Sequence, residues 1–193
     1  MASFGAYVKK HRIILLILLA SLIIHLFLVP YAKFENETVR DLTIANKMIE
    51  EKAFRLQGLS SEISKEGTQQ SFGPLFYYFL AFSQAIWHHP YSAFILMSVI
   101  IAISAFMLYL VLDKYYNRKV AIIATTLFTF NPWVFAFISL NIANPSFLIP
   151  FIILLYYSLH KIILEHNDKY IMLTAVALAA SLQLHLSSLL LIP

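Results

Sequence analysis

The chain of 193 residues has no cysteine, which excludes disulfides, zinc–thiolate sites and cysteine nucleophiles and leaves no clue to redox compartment. Charge is scarce as well. Asp, Glu, Lys and Arg make up 12% of the residues, against about a quarter in soluble domains. With 60% hydrophobic residues and a mean hydropathy of +0.75, too little polar surface remains to cover a water-exposed globule. Lipid is the solvent that tolerates such a chain. Low-complexity tracts and internal repeats are also missing. The net charge of +4 is small, and the basic residues lie beside apolar runs rather than in one stripe. That pattern orients a protein in a bilayer and does not serve a nucleic-acid partner.

What is present is a series of apolar runs. Lys9, Lys10, His11 and Arg12 precede an uninterrupted one from Ile13 to Val29, closed by Pro30. At about 1.5 Å per residue it just spans a core of about 30 Å with help from its flanks. Val29-Pro30-Tyr31 is a poor cleavage site, so the run reads as an uncleaved signal anchor. Residues 30–73 form the one long polar segment. Within it Glu37 to Phe54 has helical periodicity, with Val39, Leu42, Ile44, Ala45, Met48 and Ile49 on one side and charges on the other. That suits an amphipathic helix at the interface. Gln57 to Ser71, rich in Ser, Gly and Gln, reads as loop. Four further runs, 91–112, 120–137, 145–164 and 170–191, are each long enough to cross. The expectation is an all-α, polytopic transmembrane bundle of about five spanning helices, forming a single module over 1–193.

The run at 74–87 is too short for a typical bilayer, and orientation decides its role. The loop from Asp113 to Lys119 carries Lys114, Arg118 and Lys119, which the positive-inside rule places in the cytoplasm together with the N-terminus. One crossing then separates it from the polar loop, and 74–87 becomes a juxtamembrane or re-entrant helix on the outer side. A full extra crossing would instead put the basic loop outside. In the first arrangement the polar loop, the turn at 139–144 and the upper end of the last helix meet at the outer surface. His185 would stand about 22 Å along that helix from Tyr170.

Few residues in so apolar a chain can carry chemistry. In Glu37-Thr38-Val39-Arg40-Asp41 the two carboxylates are four residues apart and share one helix face, with Arg40 beside them. A carboxylate where the interface begins is partly desolvated and competent as a general base, and an adjacent arginine can pair with an anionic ligand such as a phosphate. Acidic residues also favour helix N-termini for their own sake. Gln183-Leu184-His185 lies in an apolar span, where polar groups face the bundle interior or a cavity. Ligand binding is one reading, and hydrogen bonding to Ser181, Ser187 or Ser188 the other. Asn144-Pro145 marks a helix start, and Asn144 could line a polar site or simply make a turn. Tyr77, Tyr78 and Trp87 read as interface aromatics, and His25 as structural. His88-His89 is a weak metal signal, since neighbouring histidines on a helix point apart. No metal site is expected from the residues.

The order of these motifs carries a resemblance. A basic-flanked first helix leads to the acidic motif at 37–41, then to Gly73-Pro74-Leu75-Phe76-Tyr77-Tyr78, Asn144-Pro145 and Gln183-Leu184-His185. This resembles the multi-spanning GT-C glycosyltransferases of the glycosyltransferase 39 group, similar to protein mannosyltransferases and aminoarabinose transferases. The resemblance implies transfer of a sugar from a polyprenyl-phosphate donor to a lipid or protein acceptor at the outer face of a prokaryotic plasma membrane, with inversion at the anomeric centre. It implies catalytic roles for Glu37 and Asp41 and substrate-binding roles for Arg40, His185, Gln183 and Asn144. Aligning on Arg40 puts Glu37 where the family usually has aspartate, one methylene further from the backbone. One carboxylate cluster is compatible with the divalent metal some relatives use, without requiring it. Family members are usually longer, so the resemblance is to an N-terminal module. Such a module either continues beyond Pro193 or works with a second membrane subunit. The other reading is a non-catalytic multi-spanning protein or assembly partner. A small transporter would need broken helices repeated in two halves, which the chain lacks.

Overall fold

The computed structural model describes residues 4–58, 73–135 and 140–191. The loop expected at 57–71 falls outside them apart from Gln57 and Gly58, as do residues 136–137 of the third expected span and Ser139 of the expected turn. The described residues are helical, without strands. In chain order the helices are α1 (Phe4–Leu28), α2 (Asn36–Glu50), α3 (Leu75–Ile86), α4 (Ser92–Tyr115), α5 (Arg118–Thr129), α6 (Ile149–Ile163) and α7 (Ile171–Leu184).

α4 is the centre. Ala93, Met97, Ile101, Ala105 and Tyr109 recur at every fourth position, one stripe of a 3.6-residue helix, and all are fully buried. Around them α4 packs against α1, α3, α5 and α6, while α6 packs on α7 and α2 on α3. The core divides along α4. Its first half joins α2, α3, Ile142, Phe147 and Leu184, and its second half joins Ile14 and Leu18 of α1 and Ala121 of α5. Small residues such as Ser98, Ser104, Ala121, Thr125, Ser158 and Ala177 are buried along these contacts, letting helices approach closely where lipid offers no hydrophobic drive. Side-chain hydrogen bonds add to this. His11 Nδ1 lies 2.8 Å from Tyr109 Oη between α1 and α4, and Thr174 donates to Ser158 Oγ at 2.8 Å between α7 and α6. Pairs of this kind average about 0.6 kcal/mol in a membrane. His25, read from the sequence as structural, bonds Ser21 in the turn below and stacks on Phe135.

Among the described residues, three helical stretches are long and apolar enough to cross a membrane: His11–Tyr31, Ser92–Tyr115 and Asn144–Ile163. In the other two expected spans the α-helix is shorter. α5 gives way at Phe130, just before Asn131-Pro132, because the residue before a proline is pushed out of the helical region. α7 stops at Leu184. His185 is extended (φ −157°, ψ 134°) and a 3₁₀ segment, Leu186–Leu191, carries the chain on. Ser188 Oγ caps this break by donating to the Ser181 carbonyl at 3.0 Å. The 12 residues of α3 rise only about 18 Å, short of a bilayer core. α3 packs against α2, α4 and α7.

Candidate functional site

The polar segment after α1 folds back on the bundle through α2. Its buried face consists of Thr38, Asp41, Leu42 and Ala45, so a carboxylate stands within the apolar stripe. Val39, expected on that stripe, is exposed. Asp41 is only 5% exposed, which is sustainable because Oδ1 accepts two hydrogen bonds. One comes from Arg40 Nε at 2.9 Å and the other from Tyr77 Oη of α3 at 3.1 Å. Burial first, then the charge of Asp41 and the bond to it, push the Tyr77 phenol up to about 12. The bond to Asp41 in turn holds the Arg40 guanidinium above its ordinary range. Arg40 remains half-exposed, so its free N–H groups face outward.

A second guanidinium joins them. α2 ends in a Schellman turn. Lys52 takes a left-handed conformation (φ 50°), Ala53 N–H donates to the Met48 carbonyl at 3.1 Å, and Lys52 N–H donates to Ile49 at 3.3 Å. The turn reverses the chain and brings Arg55 Cζ to 5.1 Å from the centroid of the Tyr77 ring. Tyr78 Oη pins the returning segment by donating to the Arg55 carbonyl at 2.9 Å, and Arg55 Nε donates to the Gln57 carbonyl at 2.8 Å. Arg40 and Arg55 thus flank one tyrosine and one carboxylate, with Glu37 within electrostatic reach of Arg40. Beside it, a groove of about 310 Å³ runs between the end of α2 and α3, lined by Met48, Ile49, Phe54 and Tyr78 among others.

The remaining expected residues lie on neighbouring elements. Glu37 is exposed in the first turn of α2, one turn before Asp41. Gln183, near the end of α7, presses on Gly73 just before α3. A Cβ on Gly73 would collide with Gln183 Cγ and sit 2.6 Å from its Cβ. Only glycine admits this approach of α7 to the start of α3. Asn144 opens a 3₁₀ turn (Asn144–Leu148) that leads into α6 and touches α7. It is 7% exposed, and neither amide atom has a partner among the described residues, a costly state for a buried amide. His185 does not stand inside a helix as expected. It follows the end of α7, half-buried, with Nδ1 2.6 Å from Ser187 Oγ. One of the serine partners anticipated for it is therefore real. The backbone also ties the loops of this end together, with Lys33 N–H donating to the Leu140 carbonyl at 2.9 Å.

Sequence reasoning missed Arg55 altogether and took Tyr77 for an interface aromatic. The one signal for Tyr77 was a hydroxyl four residues after Gly73 in a run, 73–87, that holds no Asp, Glu, Lys or Arg. Among the described residues no three His, Asp or Glu side chains gather in a way that could hold a metal ion. The site, among the described residues, is one of a buried carboxylate and arginines.

A helical bundle with spans of this length and an arginine-flanked carboxylate at its polar edge is a multi-spanning membrane protein. Residues 71–193 match the family described as dolichyl-phosphate-mannose-protein mannosyltransferase. The chain belongs to that family of membrane-embedded glycosyltransferases, which use lipid-linked sugar donors. The match begins after Glu37, Arg40 and Asp41 and includes Tyr77, Asn144, Gln183 and His185. No match was found among curated proteins or among solved structures.

Proposed function

We infer that this chain transfers a sugar from a polyprenyl-phosphate donor to a hydroxyl of a lipid or protein acceptor. The reaction takes place at the outer face of a prokaryotic plasma membrane, with the N-terminus in the cytoplasm. The observation that carries this reading is the buried Asp41, oriented by Arg40 and Tyr77 and flanked by Arg55, at the polar edge of the bundle. Asp41 takes the proton of the acceptor hydroxyl. The freed oxygen attacks the anomeric carbon, and the carbon–oxygen bond to the phosphate breaks with its electron pair leaving on the lipid phosphate. Arg40 and Arg55 stabilise the charge that develops there, and Arg40 keeps exposed N–H groups for that purpose. Burial and two orienting hydrogen bonds favour Asp41 over the solvated Glu37 as the base. The orphaned amide of Asn144 and the neighbouring Gln183 and His185 supply polar contacts for the sugar.

The test is transfer from polyprenyl-phosphate-[³H]mannose in native membranes containing the full chain. Asp41→Asn abolishes transfer at unchanged expression, and Glu37→Gln reduces it. Full activity in both variants would remove the catalytic assignment.

A further inference from the structure

At the opposite end of α4 a second cluster lies apart from the site described above. Lys114 is 22 residues beyond Ser92 along α4, about 33 Å as a helix. Met107, Leu110 and Val111 of α4 and Ile153, Leu154 and Tyr157 of α6 line a groove of about 250 Å³ that ends at Lys114. The spacings place each set on one stripe of its helix. Both helices lie in stretches able to cross the membrane, so the groove runs along the bilayer chains.

The charged end is built rather than scattered. Glu165 receives Lys114 on one oxygen and Lys161 on the other, both at 2.6 Å, and Tyr115 Oη adds a third donor at 3.0 Å. Two ammonium groups thus share one carboxylate whose acceptor capacity is largely used, leaving one positive charge over. Lys161 is nearly buried, whereas the Lys114 side chain is 41% exposed. The Lys114 ammonium is held 4.9 Å from the Tyr115 ring centroid and 5.8 Å from that of Tyr157. Arg118 and Lys119 follow a few residues later and add to the positive field.

We propose that this groove binds one anionic phospholipid of the bilayer, its acyl chain on the apolar floor and its headgroup phosphate on Lys114. An apolar channel of acyl-chain width with an excess cation at headgroup depth complements such a lipid in both shape and charge. A zwitterionic lipid would fill the floor but gain less at Lys114.

Native mass spectrometry of the full chain, with equimolar phosphatidylglycerol and phosphatidylcholine of identical acyl chains, tests this. The chain retains one phosphatidylglycerol with a preference of about five-fold, the scale of one basic residue near an anionic lipid. Lys114→Gln removes the preference and Lys114→Arg keeps it. Leu154→Trp, which fills the floor, lowers retention of both lipids, whereas Ile123→Trp on an exposed face of α5 changes neither. Size-exclusion profiles and helicity confirm that each variant is folded. Equal retention of the two lipids overturns the proposal, as does a preference that survives Lys114→Gln or stronger retention of polyprenyl phosphate. Efficient disulfide formation between copies carrying Leu154→Cys, in a chain with no other cysteine, would assign the groove to a second copy instead.

Discussion

Tyr77 donates its hydroxyl to Asp41 Oδ1 at 3.1 Å across 36 positions of sequence, joining α3 to the polar segment that follows the first span. That bond positions the carboxylate and depends on the phenol staying protonated. Tyr77→Phe removes a hydrogen bond to a charged group, worth roughly 1.5–3 kcal/mol. The variant should melt lower in detergent and transfer sugar at a reduced rate, whereas a bond without catalytic consequence would leave the rate unchanged.

The same phenol has a signature in base. Its value is raised from 10 to about 12, so the stability it contributes is fully present below pH 10 and is lost as pH rises through about 12. An ultraviolet absorbance titration should show a late-ionising tyrosine component. That late component should vanish in Tyr77→Phe and move to lower pH in Asp41→Asn.

Arg55 should act on the lipid-linked donor rather than on folding. Its contact with the Tyr77 ring contributes on the order of 0.5–1 kcal/mol at a partly exposed site. Arg55→Gln should keep the melting temperature nearly unchanged while raising the KM for the phosphate donor about ten-fold. Arg55→Lys should recover part of the loss, since a point charge lacks the bidentate fork. An unchanged KM in Arg55→Gln would separate this residue from the phosphate.

Gly73 and Gln183 should be energetically coupled. Gly73→Ala forces a methyl against the Gln183 Cβ and Cγ and should destabilise by roughly 1–3 kcal/mol. Gln183→Ala removes the Cγ contact but keeps the Cβ one at 2.6 Å, so it should restore only part of that loss in the double variant, measured as a non-additive change in melting temperature. Additive effects would mean that α7 and the start of α3 move independently.

Glu165 sets an acid limit at the other end of the bundle. Hydrogen bonds from Lys114 and then Lys161 pull its carboxyl to about 2, from an ordinary 4.5. Its stabilising contribution is present above pH 4.5 and disappears as pH falls through about 2. Melting temperatures across that window should fall more steeply for the natural chain than for Glu165→Gln. The difference should shrink at high salt because the group is exposed.

How much of this was legible in the sequence depended on which physical rule governed each residue. Apolar runs announced α1, α4 and α6 because burial in lipid leaves no other option for such stretches. The Asp41 motif was visible as well, since charge is rare here. Its burial was not, because helical periodicity assigns a carboxylate to the polar face unless a partner meets it, and Tyr77 lies on a distant helix. Arg55 was hidden behind the turn at Lys52, where a lysine takes the left-handed conformation that sequence reading expects of glycine. The end of α7 at Leu184 was hidden too. The chain stays apolar through Leu191, and only the serine hydrogen bonds at the break reveal that the helix has stopped.

The bond between His11 and Tyr109 has a consequence for how the molecule is made. As the chain emerges during synthesis, α1 enters the bilayer first, and 98 positions separate His11 from the Tyr109 hydroxyl that it meets. The polar segment, α2 and α3 appear during that interval with no central helix to lean on. Assembly therefore waits on α4. Until it is inserted, the first span is a lone tether and the polar edge around Asp41 has no wall to form against.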